Sequence, residues 1–166
     1  MLTARNRRLF TAYAVASLLA TAAAQAQVVR AAAGDLATVT AARDAFRTDL
    51  GGGTVAGANG SFGGLRREIN WDGVPDSASR PNLLPSDFFN LTSARGAIFF
   101  NSHENLFAVS AKSGNPTATP VRFADFDPVY ETKFAAFSAQ RLFASIWDPA
   151  YEVKFFVPGT NRPAVV

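Results

Sequence analysis

The uneven distribution of proline and phenylalanine most constrains what this chain can fold into. All nine prolines and 12 of the 15 phenylalanines lie between Pro75 and Pro163. In this region short apolar segments alternate with clusters of turn-forming residues, such as 112–116 and 158–161. This alternation is typical of all-β proteins, because turns separate strands that are only a few residues long. The sequence therefore predicts a mainly β fold.

Six apolar segments of this region are candidate strands. They cover residues 67–71, 96–101, 106–110, 121–126, 141–146 and 152–157. Residues 133–137 fit either a short strand or a helical turn. We predict an antiparallel β-sandwich or jelly roll over residues 65–166. Because residues 163–166 open another apolar segment without a following partner strand, we expect this β domain to be truncated at its C-terminus.

Two segments precede the predicted β domain. Within residues 27–50, apolar side chains recur along one helical face: Leu36, Val39, Phe46 and Leu50. Together with Gly51 as a stop, they predict an amphipathic helix over 34–50 that packs its apolar face on the domain. Half of the 14 residues in 51–64 are glycine. Such a run loses much conformational entropy on ordering, so we predict a flexible linker or long loop there.

The first 26 residues have the three parts of a secretory signal peptide. Three arginines precede residue 9, an uncharged apolar run follows over 9–23, and residues 24–26 are Ala-Gln-Ala. The apolar run is too short and too rich in alanine for a membrane span. Residues 7–10 (RRLF) also resemble a twin-arginine export signal, although we favour an ordinary basic start with clustered arginines. We expect cleavage after Ala26 and a mature protein that is secreted or periplasmic, without a membrane span.

Charge and cysteine content exclude several classes of function. The chain has 16 basic and 13 acidic residues, and three of the basic ones precede the predicted cleavage site, leaving 13 of each. Nucleic-acid binding needs clustered lysine and arginine, and the mature chain has no such run, so we expect no nucleic-acid partner. The absence of cysteine excludes disulfides, thiol catalysis and thiolate metal sites.

Four motifs carry a resemblance to a group of secreted bacterial proteins of uncharacterised function. They are RREINWDGVPD at 66–76, FFNLTSARG at 88–96, PVRF at 120–123 and FFVPGT at 155–160. Some proteins of the group are sorted to the cell surface by exosortase through a PEP-CTERM tail. This chain has no such Pro-Glu-Pro tail, so surface anchoring is not carried over. The resemblance extends from about residue 44 onward and implies a secreted β domain with no established activity.

The segment around Trp71 supplies the candidate ligand site. An indole ring exposed on a strand could stack on a pyranose ring, while Asn70 and Asp72 bond the sugar hydroxyls. The alternative places Trp71 in the core and uses Asp72 and Asp76 to fix turns.

Carboxylates at four positions suggest a calcium ion as a possible cofactor. Asp72 and Asp76 follow the tryptophan, and Asp125 and Asp127 share one face if their segment is extended. Asx turns are the alternative for both pairs. Glu68 and Asp72 are a candidate glycosidase pair, a role that requires two carboxylates at a defined separation.

These observations predict a secreted, non-enzymatic β-sandwich protein without catalytic residues. Its expected partner is an extracellular polysaccharide or a surface protein. Two alternatives stay open: a calcium-stabilised structural protein of the cell surface or matrix, and an exported glycoside hydrolase.

Overall fold

The structure is a computed structural model and describes residues 28–164. The predicted signal peptide, residues 1–26, lies outside the described residues. Within the described range the helices and strands are α1 (Leu36–Leu50), β1 (Ser61–Phe62), β2 (Arg66–Arg67), β3 (Ala97–Phe100), β4 (Phe107–Val109), α2 (Tyr130–Lys133), β5 (Phe143–Ser145) and β6 (Glu152–Phe155). No helix between residues 28 and 164 has the length and apolar character that crossing a membrane requires.

The strands pair in three antiparallel sheets of two strands each. β1 and β2 form a local hairpin. β3 pairs with β6, so that Ala97 lies opposite Phe155, and β4 pairs with β5, so that Val109 lies opposite Phe143. The mainly β prediction is confirmed at this level. Three small sheets establish neither a sandwich nor a jelly roll.

Four of the six predicted strand segments contain β3, β4, β5 and β6, and the other two were wrong for local reasons. After β2, the side-chain oxygen of Asn70 accepts the Asp72 amide at 3.1 Å and caps a 3₁₀ turn over Trp71–Gly73. Segment 121–126 forms turns, because Arg122 and Phe123 have positive φ angles of 53° and 65°. A left-handed backbone interrupts an extended strand. Residues 134–136 have no regular structure, and the helical turn α2 ends just before them.

Aromatic side chains dominate the core. Its buried apolar members are Val74, Ala78, Leu84, Phe88, Phe89, Ala97, Phe99, Phe107 and Val109. Alternation along β3 directs Ala97 and Phe99 inward. Phe88 and Phe89 lie in a turn, so both rings enter the core and meet edge to face with centroids 5.0 Å apart. Burial of each such ring contributes about 1.5–3 kcal/mol.

Helix α1 begins and ends where its capping residues require. The Asp35 carboxylate accepts the Thr38 amide at 2.8 Å, and the Gly51 amide donates to the Arg47 carbonyl at 3.1 Å. Gly51 has a φ of 75°, a conformation that glycine adopts without strain. The predicted apolar face of α1 is covered only in part, because Leu36 and Leu50 are exposed while Val39 and Phe46 are half-buried. The helix has no buried residue, and it contacts the rest of the chain through arginine, as in the ion pair of Arg47 with Glu68.

Residues 51–64 form a loop with local structure. The loop contains a 3₁₀ turn at Ala58–Gly60 and the strand β1. The Arg66 guanidinium donates to the carbonyls of Gly51 and Gly53 and so holds the start of the loop. Gly60 has a φ of 64°, and a Cβ there would lie 2.4 Å from the Glu68 carbonyl oxygen. The loop therefore closes tightly against the segment that follows β2.

Candidate functional site

A cavity of about 1000 Å³ has walls from α1, the glycine-rich loop and the segments around Trp71, Arg95 and β5. Aromatic side chains line part of it: Phe62, Trp71, Phe137, Phe143 and Tyr151. Its cationic lining residues are Arg43, Arg47, Arg95 and Arg141, and its acidic lining residue is Glu68. We refer to this cavity as the arginine cleft.

Trp71 lines the arginine cleft but belongs mainly to the aromatic core. Its ring stacks on Phe143 with centroids 4.4 Å apart and planes 11° apart, and meets Phe89 edge to face at 5.4 Å. One face of the indole is therefore covered by Phe143. Asn70 is exposed in the wall of the cleft, and its side-chain oxygen is occupied by the turn at Trp71.

Asp72 anchors a neighbouring loop. Its Oδ1 accepts the Ser138 hydroxyl at 3.0 Å and the amides of Gln140 and Arg141 at 3.1 Å and 2.9 Å. A carboxylate oxygen with three internal donors has little capacity left for sugar hydroxyls. Of the three predicted sugar contacts, Asn70 and Trp71 line the cleft. Asp72 lies outside the lining and holds the loop at 138–141.

The four aspartates predicted to bind calcium have separate partners. Asp76 forms an ion pair with Arg141 at 2.6 Å, and Asp125 forms one with Arg80 at 2.6 Å. The Asp127 carboxylate accepts the Val129 amide at 3.0 Å, as in an Asx turn. Within residues 28–164, no three acidic or histidine side chains form a group that could hold a metal ion. Calcium binding stays an untested alternative, and the described residues contain no assembled ligand set that supports it.

Glu68 lies between two guanidinium groups, those of Arg47 and Arg66. Burial would by itself raise the pKa of Glu68, but the hydrogen bonds and charges of both arginines outweigh it and hold this pKa below its ordinary value. A glycosidase general acid needs a raised pKa. Glu68 therefore has the properties of a structural anion. Its predicted partner, Asp72, is engaged by the loop at 138–141.

Arg141 is the most deeply buried cation of the arginine cleft, with 1% of its surface exposed. Its Nη2 donates to Asp76 at 2.6 Å and its Nη1 donates to the Ser110 carbonyl at 2.9 Å. Its Nε is buried and has no hydrogen-bond partner among the described residues. The sequence indicated Arg141 only as the first residue of a predicted strand, because nothing in the local pattern distinguishes a buried arginine from an exposed one.

Arg95 is the second functional candidate that the sequence did not single out. Its Nε donates to the Glu68 carbonyl at 2.6 Å, and its Nη1 donates to the hydroxyl and carbonyl of Ser93. The guanidinium carbon lies 5.2 Å from the centroid of the Phe89 ring. In the described part of the chain no carboxylate forms an ion pair with Arg95. Burial lowers the pKa of Arg95 from its ordinary value.

The chain matches no protein-family model, no curated protein and no solved structure. The resemblance to secreted bacterial proteins therefore stays a prediction. What the fold and the cleft define is a mainly β protein with an open cavity of aromatic and guanidinium groups. Function depends on such sites and not on the fold, so the cleft is the part of the protein that indicates its function.

Proposed function

We propose that this chain is a secreted, non-enzymatic β protein that binds an extracellular saccharide in the arginine cleft. The observation that carries the proposal is the pairing of half-exposed aromatic rings with hydrogen-bond donors in one cavity. Protein sites for small polar ligands combine these two elements, because the rings cover the apolar face of the ligand and the donors fix its orientation. The predicted signal peptide supports secretion.

Tyr151 and Phe137 are the aromatic platforms in this proposal. They line the cleft and expose 49% and 45% of their surfaces, whereas Trp71 has one face covered. Tyr151 also meets Phe143 edge to face with centroids 5.5 Å apart, which restricts its ring. A ring held by the core loses little conformational entropy when a ligand stacks on it. The expected stacking position therefore moves from Trp71 to Tyr151.

The non-enzymatic part of the proposal depends on the two candidate carboxylates. The pKa of Glu68 is lowered by its two arginine partners, once the opposing effect of burial is overcome. The Oδ1 of Asp72 is occupied by three donors of the loop at 138–141. Glu68, held as an anion between two arginines, does not fit the proton donor that hydrolysis of a glycosidic bond requires.

Isothermal titration of the full chain with cellotetraose, xylotetraose and tetragalacturonate tests the proposal. Tyr151→Leu keeps apolar bulk and removes the planar ring, so we expect affinity for the bound saccharide to fall about tenfold, equivalent to about 1.4 kcal/mol. Phe155→Leu is the matched control, because Phe155 is 60% exposed and lies outside the cleft lining. Failure of every saccharide to bind, or equal losses in both variants, would contradict the proposal.

A further inference from the structure

We infer that the saccharide bound in the arginine cleft is acidic and that its carboxylate pairs with Arg95. This inference rests on the proposed function and adds the chemical class of the ligand. It depends on three properties of Arg95: its lack of an anionic partner, its fixed position and its partial burial.

The other arginines of the cleft are neutralised within the chain. Arg43 and Arg47 lie 2.8 Å and 3.1 Å from the Asp44 carboxylate, and Arg47 also pairs with Glu68. Arg141 pairs with Asp76. Among the described residues, Arg95 is the cleft arginine whose hydrogen bonds go only to neutral acceptors, on Glu68 and Ser93. Arg95 therefore carries a positive charge that has no carboxylate partner in the described part of the chain.

Arg95 is held in place before any ligand arrives. Two of its guanidinium nitrogens, Nε and Nη1, are fixed by backbone and hydroxyl oxygens, and the Phe89 ring supports the guanidinium. Gly60 makes room for it, since a Cβ at Gly60 would lie 2.7 Å from Nε and 3.1 Å from Nη2. The N–H groups of Nη2 have no partner among the described residues and remain to bind a carboxylate, and a guanidinium in a fixed position loses little freedom on binding.

Partial burial makes an anionic ligand favourable. The pKa of Arg95 is lowered by burial, which means that the charged form is poorly solvated where it lies. An anion in the cleft restores the lost interactions, and at a site partly removed from water each charge-assisted hydrogen bond is stronger than at the surface. Arg95 and Tyr151 line the same cavity. A sugar ring that carries a carboxylate therefore both stacks on Tyr151 and pairs with Arg95, whereas a free anion only pairs with Arg95.

The test compares tetragalacturonate with its methyl ester, which has the same sugar chain without the negative charges, by titration against the full chain. We expect the acid to bind about tenfold more tightly than the ester, a difference of about 1.4 kcal/mol. Arg95→Gln should abolish this preference, so that the acid and the ester bind with similar affinity. Arg67→Gln should keep the preference, because Arg67 is exposed and lies outside the cleft lining.

The results test separately whether the ligand is acidic and whether the cleft binds a saccharide at all. Equal affinity for acid and ester, or an unchanged preference in Arg95→Gln, overturns the inference and leaves saccharide binding intact. If neither of these ligands binds and the neutral tetrasaccharides do not bind either, the proposed function is overturned as well. If Arg95→Gln does not fold, Arg95→Lys keeps the charge without the fixed, planar guanidinium, and we expect its affinity for the acid to fall severalfold. An unchanged affinity of Arg95→Lys for the acid contradicts the inference.

Discussion

Trp71 stacks on Phe143 with ring centroids 4.4 Å apart and planes 11° apart. This contact fixes the 3₁₀ turn after β2 to strand β5, so that two distant parts of the chain close one wall of the arginine cleft. The indole is therefore both a lining residue and a structural support.

Replacement of Trp71 by alanine should destabilise the folded protein. The lost contacts with Phe143 and Phe89 predict a decrease of about 3 kcal/mol in the free energy of unfolding, and Trp71→Phe should cost less because a ring remains. Urea denaturation measures both values. A loss below about 1 kcal/mol for Trp71→Ala would contradict this account of the core. Weak saccharide binding by Trp71→Ala would report lost structure, which is why Tyr151 is the better probe.

Asp72→Ala should destabilise the protein by about 2–3 kcal/mol, because three donors of the loop at 138–141 lose a charged acceptor. Asp72→Asn should cost less, since its amide oxygen still accepts. Denaturant unfolding distinguishes the two variants. Equal stability of Asp72→Ala and the parent chain would mean that this loop is not held as described.

The ion pair between Asp76 and Arg141 should matter far more than an exposed pair. Asp76→Asn leaves a guanidinium that is 1% exposed without its anion, so we expect a loss of about 2–4 kcal/mol in the free energy of unfolding. The matched control is Asp49→Asn, which breaks the exposed pair with Arg30 and should cost less than about 1 kcal/mol. Similar losses of stability in the two variants would contradict the claim that burial makes the pair of Asp76 with Arg141 more important than the exposed pair.

Asp148 should titrate well below the ordinary value for an aspartate carboxyl. The Ser102 hydroxyl and the amides of Ala150 and Ser102 lower its pKa from 3.8 to about 2. Since the folded-state pKa is the lower one, the stabilisation is present above pH 3.8 and is lost as the pH falls towards about 2. An NMR titration of the carboxyl carbon measures the midpoint, and Ser102→Ala should raise it. A midpoint near 3.8 in the parent chain would show that these hydrogen bonds are absent.

Calcium should leave the thermal unfolding midpoint unchanged relative to EDTA. Asp76 and Asp125 are already paired with arginine, and binding a cation would require those pairs to break. A thermal melt followed by circular dichroism provides the comparison. A calcium-dependent rise that Asp72→Asn or Asp127→Asn removes would instead favour a calcium-stabilised structural protein.

Much of the local structure follows from the sequence. The end of α1 at Gly51 and the positions of β3 to β6 agree with the apolar pattern and the turn residues. The pairing of β3 with β6, and of β4 with β5, does not follow from local pattern, because distant segments choose their partners through the shared core. At Asn70 a side-chain hydrogen bond caps a 3₁₀ turn where the sequence predicted a strand. In this turn Trp71 packs against the core ring of Phe143.

The candidate site was predictable only in part. The sequence located Asn70 and Trp71, because an indole beside amide and carboxyl groups is a common sugar contact. It could not identify Arg95 or Arg141, since an arginine acquires its burial and partners from residues far along the chain. Asp72 illustrates the same limit, as its donors lie at 138–141.

The most direct test of the central claim is a map of amide chemical shifts in the full chain, recorded by NMR during titration with tetragalacturonate. The account predicts that the largest shifts fall on the cleft segments around Glu68, Arg95 and Tyr151, and that the turn at 113–119, which lies outside the cleft lining, changes little. Absence of shifts with this and the neutral tetrasaccharides, or shifts confined to residues outside the cleft, would contradict it.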